Sequence, residues 1–457
     1  MTVSELARVI HGRVEGVTDV RVLGAEVDSR RLQAGDLFVA LPGARCDGHA
    51  FVDAALETAA AALVRSDAEL DPPPTGKALV RTADPLAAYH ELAAHERQQR
   101  GWTIAAVTGS VGKTTTKDFL AALVGSQRPT GASTGNRNST LGLPAELLSQ
   151  SGEIEVFVAE TGMSQPGELS LLGGILRPQV VLYTRIAPAH TEFFPDLDGI
   201  VRAKAELIPW LDPDGALVIN ADDPRQRDFP NQTPARVLRY GSLEADAHVE
   251  GLEDKGLLGS RFRLVLPDGD AVIDLALAGV HQVENLLAAA TAAHALGVSV
   301  DQVAEAAPAL RAPEHRGRVL DIGDGITVVD DSYNASPLAV RRLFELLARA
   351  PGRRVAVIGE MYELGELAAE AHRQAGLEAA AAADLLVAVG GADASSMAAA
   401  ARDAGMAEDT VLLAESAEGA AKLLRGVLRS GDVVLVKGSR GVGLDRTVAA
   451  LMGEEAA

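Results

Sequence analysis

Cysteine is almost missing: Cys46 is the only one among 457 residues. A disulfide framework within the chain and a multi-cysteine metal site are thereby excluded, and a reducing cytoplasm is the expected setting. Aromatic residues are scarce as well, at 4% against a hydrophobic content of 47%. The cores are therefore expected to be filled by Leu, Val, Ile and Ala. Positive charge is outweighed, with 42 Lys and Arg against 63 Asp and Glu and a formal net charge of −21. Such a surface has no general attraction for phosphate backbones, so nucleic acid is not an expected partner. A local basic pocket for a nucleotide is still compatible with it. Long apolar runs are lacking too. Stretches such as 379–383 are short, rich in alanine and interrupted by polar residues, so no membrane insertion is expected. The start, Met1-Thr2-Val3-Ser4-Glu5, has neither the basic flank nor the apolar core of a secretory signal.

What is present begins with a phosphate-type loop, Thr108-Gly109-Ser110-Val111-Gly112-Lys113-Thr114-Thr115. An apolar run at 104–107 leads into it as a strand, and a helix-like segment at 115–124 leads out. Glycines let backbone N–H groups converge on an anion, and the helix N-terminus adds its partial positive charge. The lysine neutralises phosphate charge and the hydroxyl after it can bind Mg²⁺. The spacing departs from G-x-x-x-x-G-K-[ST], because Val107 stands where the first glycine would be. The loop is a compact G-x-x-G-K-T.

The length suggests two to four domains, and three blocks emerge, at 1–83, 84–312 and 313–457. The first mixes β-like pieces (36–40, 61–64, 78–80) with helical ones and ends after Asp71-Pro72-Pro73-Pro74. In the second, the phosphate loop is followed by apolar strands at 154–159, 180–183 and 216–219. This is the alternation of a parallel α/β sheet. Residues 246–276 read as a β-rich insertion before an alanine-rich helix that starts near His281. The third block has strands at 326–329, 355–358, 385–389, 411–413 and 433–436, a Rossmann-like order without the dinucleotide fingerprint. Gly438-Ser439-Arg440-Gly441-Val442-Gly443 lacks a lysine in the place a phosphate loop requires. It reads as a strand-to-helix turn, or else as a contact for domain closure or substrate.

Several polar groups stand at strand ends, where open parallel sheets bind ligands. Glu160 reads equally as a Mg²⁺ ligand or as a surface charge. His190 alone reads as a surface or packing residue, and Lys204 as a solvated helix lysine. Asn136-Arg137-Asn138-Ser139 and Asn220-Ala221-Asp222-Asp223 are, by themselves, turn chemistry. In Asp330-Asp331-Ser332-Tyr333-Asn334-Ala335 the two carboxylates read as a helix cap or a ligand site.

Taken jointly, these strings resemble the Mur ligase family of ATP-dependent amide-bond-forming enzymes. They are Thr134-Gly135-Asn136-Arg137-Asn138, Leu141-Gly142-Leu143-Pro144, Gly162-Met163-Ser164-Gln165-Pro166-Gly167-Glu168, Asp331-Ser332-Tyr333-Asn334-Ala335 and Gly359-Glu360-Met361-Tyr362-Glu363-Leu364-Gly365. The resemblance spans essentially the whole chain and is greatest to the branch that adds D-alanyl-D-alanine to UDP-N-acetylmuramoyl-tripeptide. It implies an α/β protein of three domains: a small N-terminal UDP-substrate domain, a central parallel-sheet P-loop ATPase domain, and a C-terminal Rossmann-like domain. The last would close on ATP and bind the incoming dipeptide. It also implies a monomer acting in cytoplasmic peptidoglycan precursor synthesis.

By the same resemblance, Gly109, Ser110, Val111, Gly112, Lys113, Thr114 and Thr115 would hold ATP, together with Asn285, Arg318 and Asp331. Arg316 competes with Arg318 for its role. Thr114 and Glu160 would serve one Mg²⁺ and His190 a second. Lys204 is placed like the family's carbamylated lysine, so Lys113, Lys204 and His190 would be the catalytic set. Ser29 (in Val27-Asp28-Ser29-Arg30, near Asp47-Gly48-His49), Asn136, Asn138, Tyr333 and Asn334 would contact substrate. The family usually has asparagine where Ser139 and Arg185 stand. Two other readings compete: a ligase adding a single diaminopimelate or lysine, and a P-loop regulatory NTPase. The Ser332-Tyr333-Asn334-Ala335 string argues against the first, and the tripartite length against the second.

Overall fold

Runs of Val, Ile, Leu and Ala, buried on both sides, build three sheets in chain order. The structure is a computed structural model that describes residues 1–43, 46–150, 152–188, 192–194 and 196–453. The N-terminal sheet holds β1 (Arg13–Gly16), β2 (Gly24–Glu26), β3 (Asp36–Val39), β4 (Ala61–Arg65) and β5 (Ala78–Thr82). Their order is β1-β5-β4-β3-β2, with only the β1–β5 pair antiparallel.

The central sheet has nine strands: β6 (Thr103–Thr108), β7 (Thr130–Ala132), β8 (Val156–Glu160), β9 (Val180–Tyr183), β10 (Ala216–Asn220), β11 (Arg236–Gly241), β12 (Ala247–Asp254), β13 (Ser260–Leu266) and β14 (Gly269–Leu275). Their order is β14-β13-β12-β11-β10-β9-β6-β8-β7. From β7 to β12 the neighbours run parallel, and β12 to β14 form an antiparallel extension, the expected β-rich insertion. The strand period of two sorts the core. Ala105, Val107, Val156 and Val158 face the helices Lys113–Gly125 and Val280–Ala295, while Ile104, Ala106, Phe157 and Ala159 face the opposite helical layer. Alanine takes the place of aromatics here: Ala288, Ala289, Ala290, Ala292 and Ala293 are all buried.

The C-terminal sheet comprises β15 (Arg318–Asp321), β16 (Thr327–Asp330), β17 (Arg354–Gly359), β18 (Leu385–Val389), β19 (Val411–Ala414) and β20 (Val433–Lys437), in the order β15-β16-β20-β17-β18-β19. All pairs are parallel except β15–β16. The sequence reading opens this block with the strand at 326–329. The structure adds β15 before it, an edge strand too exposed to show an apolar signature. Among the described residues no helix is long and apolar enough to cross a membrane.

Candidate active site

β6 delivers the chain at Thr108 into a turn that only glycine can make. Gly109 has φ +147° and a Cβ there would lie 1.9 Å from Thr184 Oγ1; Gly112 has φ +88° and its Cβ would lie 2.5 Å from Asn285 Oδ1. Both positions combine a left-handed backbone with close approach. Between them the Ser110 N–H donates to the Arg185 carbonyl at 2.8 Å, and the Ser110 hydroxyl to the Ala187 carbonyl at 2.8 Å. The helix Lys113–Gly125 then starts with no side-chain cap, which leaves its first N–H groups to an anion.

Beside this loop stands Glu160, the last residue of β8 and 3% exposed. The Thr114 hydroxyl donates to one of its oxygens at 2.7 Å and the Asn138 amide to the other at 2.7 Å. Lys204, near the end of the helix Leu197–Ala205, is no solvated surface lysine. It is 3% exposed and donates to the Gly109 carbonyl at 2.8 Å. Burial drives its ammonium well below the ordinary lysine range, and the nearby charge of Lys113 adds to that; Glu160 opposes it. Burial also lowers Lys113, again against the pull of Glu160.

The opposite wall comes from the C-terminal sheet. Asp331 follows β16 and pairs with Lys437 at the end of β20, whose ammonium also donates to the Asn334 carbonyl at 2.7 Å. Burial raises the Asp331 carboxyl while Lys437 holds it down. The Arg316 guanidinium lies 4.0 Å from the Tyr333 ring centre and that of Arg440 lies 5.1 Å from it. His281 lines the same space, and burial beside Arg342 and Lys437 pushes its imidazole down to about 3.

The two walls enclose one cleft of about 410 Å³. Its lining carries six Lys or Arg side chains and four Asp or Glu, the reverse of the balance over the whole chain. Such local focusing suits a polyanionic ligand. Ser110, Val111, Gly112, Lys113, Thr114, Thr115, Asn136, Asn138, Glu160, Lys204, Asn285, Asp331, Tyr333 and Asn334 all line it, and Gly109 stands behind them with its carbonyl bonded to Lys204.

Two expected residues are placed elsewhere. Arg318 is exposed as the first residue of β15, and Arg316, two residues earlier, lines the cleft instead. Ser29 opens the short turn Ser29–Arg31 beside the N-terminal sheet and does not line the cleft. His190 lies outside the described residues. Sequence reasoning missed Lys437, Arg342 and His281. Of these only Lys437 carried a signal, as a lysine closing a fully apolar strand. The two departures from the family pattern have visible contacts. Ser139 accepts from the Gly142 N–H at 3.2 Å, and the Arg185 side chain lies 3.9 Å from Glu284. Among the described residues no three His, Cys, Asp or Glu side chains cluster as a metal site. The Thr114–Glu160 pair nevertheless offers the hard oxygen donors that Mg²⁺ takes when phosphates and water complete its shell.

Comparison with known proteins finds three family models along the chain. Family models match at residues 22–97 (Mur ligase family, catalytic domain), 107–293 (Mur ligase middle domain) and 315–440 (Mur ligase, glutamate ligase domain). A UDP-N-acetylmuramoyl-tripeptide--D-alanyl-D-alanine ligase of Mycobacterium tuberculosis is 35% identical over 503 residues, covering all of this chain and 98% of the relative. The Escherichia coli protein of that name is 32% identical over 457 residues, covering 99% and 98%. A crystal structure of MurF from Acinetobacter baumannii superposes with a TM-score of 0.87 at 28% identity, covering 99% of both chains. MurF from Thermotoga maritima in complex with ADP gives 0.81 at 28%, covering 95% and 98%.

Proposed function

The chain belongs to the Mur ligase family, and from that premise we propose that it joins D-alanyl-D-alanine to UDP-N-acetylmuramoyl-tripeptide at the expense of ATP, in cytoplasmic peptidoglycan precursor synthesis. The observation that carries this reading is the single cleft between the phosphate loop and the Asp331–Tyr333–Asn334 loop of the C-terminal sheet. A regulatory NTPase needs only the first wall; a ligase needs a second for its amine. The choice of acceptor draws on the full-length relatives. A diaminopimelate-adding ligase shares only the fold, with a TM-score of 0.55 at 21% identity. Action as a monomer is part of this reading.

In this reading a substrate carboxylate oxygen attacks the γ-phosphorus of ATP, the bond to the β–γ bridging oxygen breaks, and ADP leaves an acyl phosphate. The dipeptide amine then attacks the acyl carbon, and phosphate departs from the tetrahedral intermediate. Lys113 and the N–H groups of its loop hold the phosphates, the kind of preorganised electrostatic help that dominates such catalysis. Arg316 and Lys437 add charge from the other wall. Thr114 and Glu160 would hold Mg²⁺, which neutralises phosphate charge when bound. Lys204 is suited to carbamylation because burial favours its neutral amine, the form that adds CO₂ with loss of a proton. The resulting carboxylate-like group would supply a further oxygen donor toward the metal. Tyr333 and Asn334 face the dipeptide, and Ser29 with Asn136 the UDP-substrate.

Phosphate release with UDP-N-acetylmuramoyl-tripeptide tests the acceptor. D-Ala-D-Ala should stimulate release and yield the pentapeptide product by mass. Stimulation by diaminopimelate or lysine on the dipeptide substrate instead would overturn the assignment.

A further inference from the structure

Arg137 lies between two cleft residues, Asn136 and Asn138, yet its own side chain does not line the cleft. One guanidinium nitrogen donates to Glu146, in the helix Gly142–Ser149, at 3.0 Å, and the other donates to Glu26, the last residue of β2 in the N-terminal sheet. Glu26 and Glu146 are each 5% exposed. A guanidinium shared by two buried carboxylates is an exacting arrangement; without it Glu146 would keep its bonds from Thr134, and Glu26 the more distant Arg31 at 3.9 Å. Glu146 alone would anchor the loop within the central sheet's own layer. The contact with Glu26 crosses to another sheet.

What lies beyond each end of that crossing is specific. The other Glu26 oxygen accepts from the backbone N–H groups of Val27 at 2.9 Å and Asp28 at 3.1 Å. It thereby shapes the entry to the turn that Ser29 opens. On the other side, the residue after Arg137 is Asn138. Its amide donates to Glu160 at 2.7 Å, and its carbonyl accepts from the Gly162 N–H at 2.8 Å. The far end of the same loop is fixed separately: the Tyr89 hydroxyl donates to the Leu141 carbonyl at 2.9 Å, and His90 Nε2 lies 2.8 Å from the Thr140 carbonyl. Arg137 is thus the side-chain link from the near end of the loop to the N-terminal sheet. A continuous run of contacts joins the Ser29 segment, Glu26, Arg137, Asn138 and the carboxylate beside the phosphate loop.

On the reading that the Ser29 segment holds the UDP-substrate and Glu160 serves the magnesium nucleotide, we propose that Arg137 is a positioning residue that couples the two binding events. Seating the UDP-substrate on the N-terminal sheet fixes Glu26, Glu26 fixes the Arg137 end of the loop, and Asn138 then holds Glu160 in its nucleotide-binding orientation. Coupling of this kind is reciprocal and is measured as a change in affinity.

Titration calorimetry of ADP with magnesium into the full-length protein, with and without saturating UDP-N-acetylmuramoyl-tripeptide, tests it. The natural chain should bind ADP about fivefold or more tightly when the UDP-substrate is present. Arg137→Met and, separately, Glu26→Gln should abolish that tightening while changing the affinity for ADP alone by less than about twofold. The double variant should be no worse than either single one, because both cut the same link. A merely structural ion pair would lower the melting temperature and leave the tightening intact. Folded variants that keep the tightening therefore overturn the proposal, as does a natural chain that binds both ligands with no tightening. A natural chain that binds ADP but not the UDP-substrate overturns it by another route, through the reading on which it rests.

Discussion

Lys204 shows how far the surroundings of one side chain change its chemistry. A free lysine amine is protonated at neutral pH and does not react with CO₂. Here the amine is buried, it faces the second cation Lys113, and it donates to the Gly109 carbonyl, a bond that a neutral amine satisfies equally well. Lys204→Ala should therefore lower turnover by at least about 100-fold, and acetate should restore part of it by supplying the missing oxygen donor. Incubation of the natural protein with ¹³C-bicarbonate should give a carbamate carbon signal that the variant lacks. An active, fully liganded enzyme with an unmodified Lys204, or a variant with full turnover, would contradict this role. The same attention to surroundings separates Arg316 from Arg318. Both are arginines two positions apart, but one faces Lys113 and stacks over Tyr333 while the other lies on an exposed edge strand.

The phosphate loop works because two flanking elements leave no room for a side chain. A Cβ on Gly109 would meet Thr184, which follows β9, at 1.9 Å; Gly101, which ends the helix Pro85–Arg100, also has positive φ (+64°) but nothing within 4 Å. Gly101→Ala should therefore cost about 1 kcal/mol of stability from backbone strain alone. Gly109→Ala should cost more than that and also abolish ADP binding. Chemical denaturation and calorimetry on the two variants separate strain from clash, and equal losses would show that the close approach to Thr184 does not matter. Elements of this kind were legible in the sequence where burial was two-sided over four or more residues. The inner strands of the central and C-terminal sheets (β6, β8, β9, β10, β16, β17, β18, β20) are near-continuous apolar runs. Of the strands the sequence reading lacks, β1, β7 and β15 are short edge strands with partly exposed residues, and β11 alternates buried and exposed positions, which weakens the hydrophobic signal. β2 is fully buried but only three residues long, too short for a pattern to show. The phosphate loop of the cleft's first wall was legible because its residues stand in one local motif, whereas Glu160, Lys204 and Asn285 gained a role only from the resemblance of the strings taken together. On the other wall, Lys437 showed only as a lysine closing an apolar strand and Arg342 and His281 not at all, because tertiary packing brings Lys437 to Asp331, Arg342 to Glu284 and His281 into the cleft.

Over the whole molecule, charge pairs tie the sheets together around the cleft. Arg137 reaches Glu26 of the N-terminal sheet, and Glu284 of the central helix Val280–Ala295 takes Arg342 from the C-terminal helix Pro337–Leu347. Arg349, just past that helix, pairs with Asp254 at the end of β12. These ties join layers whose apolar cores are largely separate, although Ala145 of the helix Gly142–Ser149 packs in the N-terminal core. On the proposed reading, closure of the C-terminal sheet over the phosphate loop would exclude water from a labile acyl phosphate and hold three substrates in line, which is where positioning lowers a barrier most. The central claim is that a substrate carboxylate is activated in this cleft by phosphoryl transfer before the amine attacks. Isotope tracing tests it most directly: UDP-N-acetylmuramoyl-tripeptide labelled with ¹⁸O in its reacting carboxylate is turned over with ATP and D-Ala-D-Ala, and the released phosphate is analysed by mass. Each phosphate should carry one oxygen from the labelled carboxylate, because that oxygen bridges carbon and phosphorus in the acyl phosphate and leaves with phosphorus. Unlabelled phosphate alongside the pentapeptide product would contradict the account.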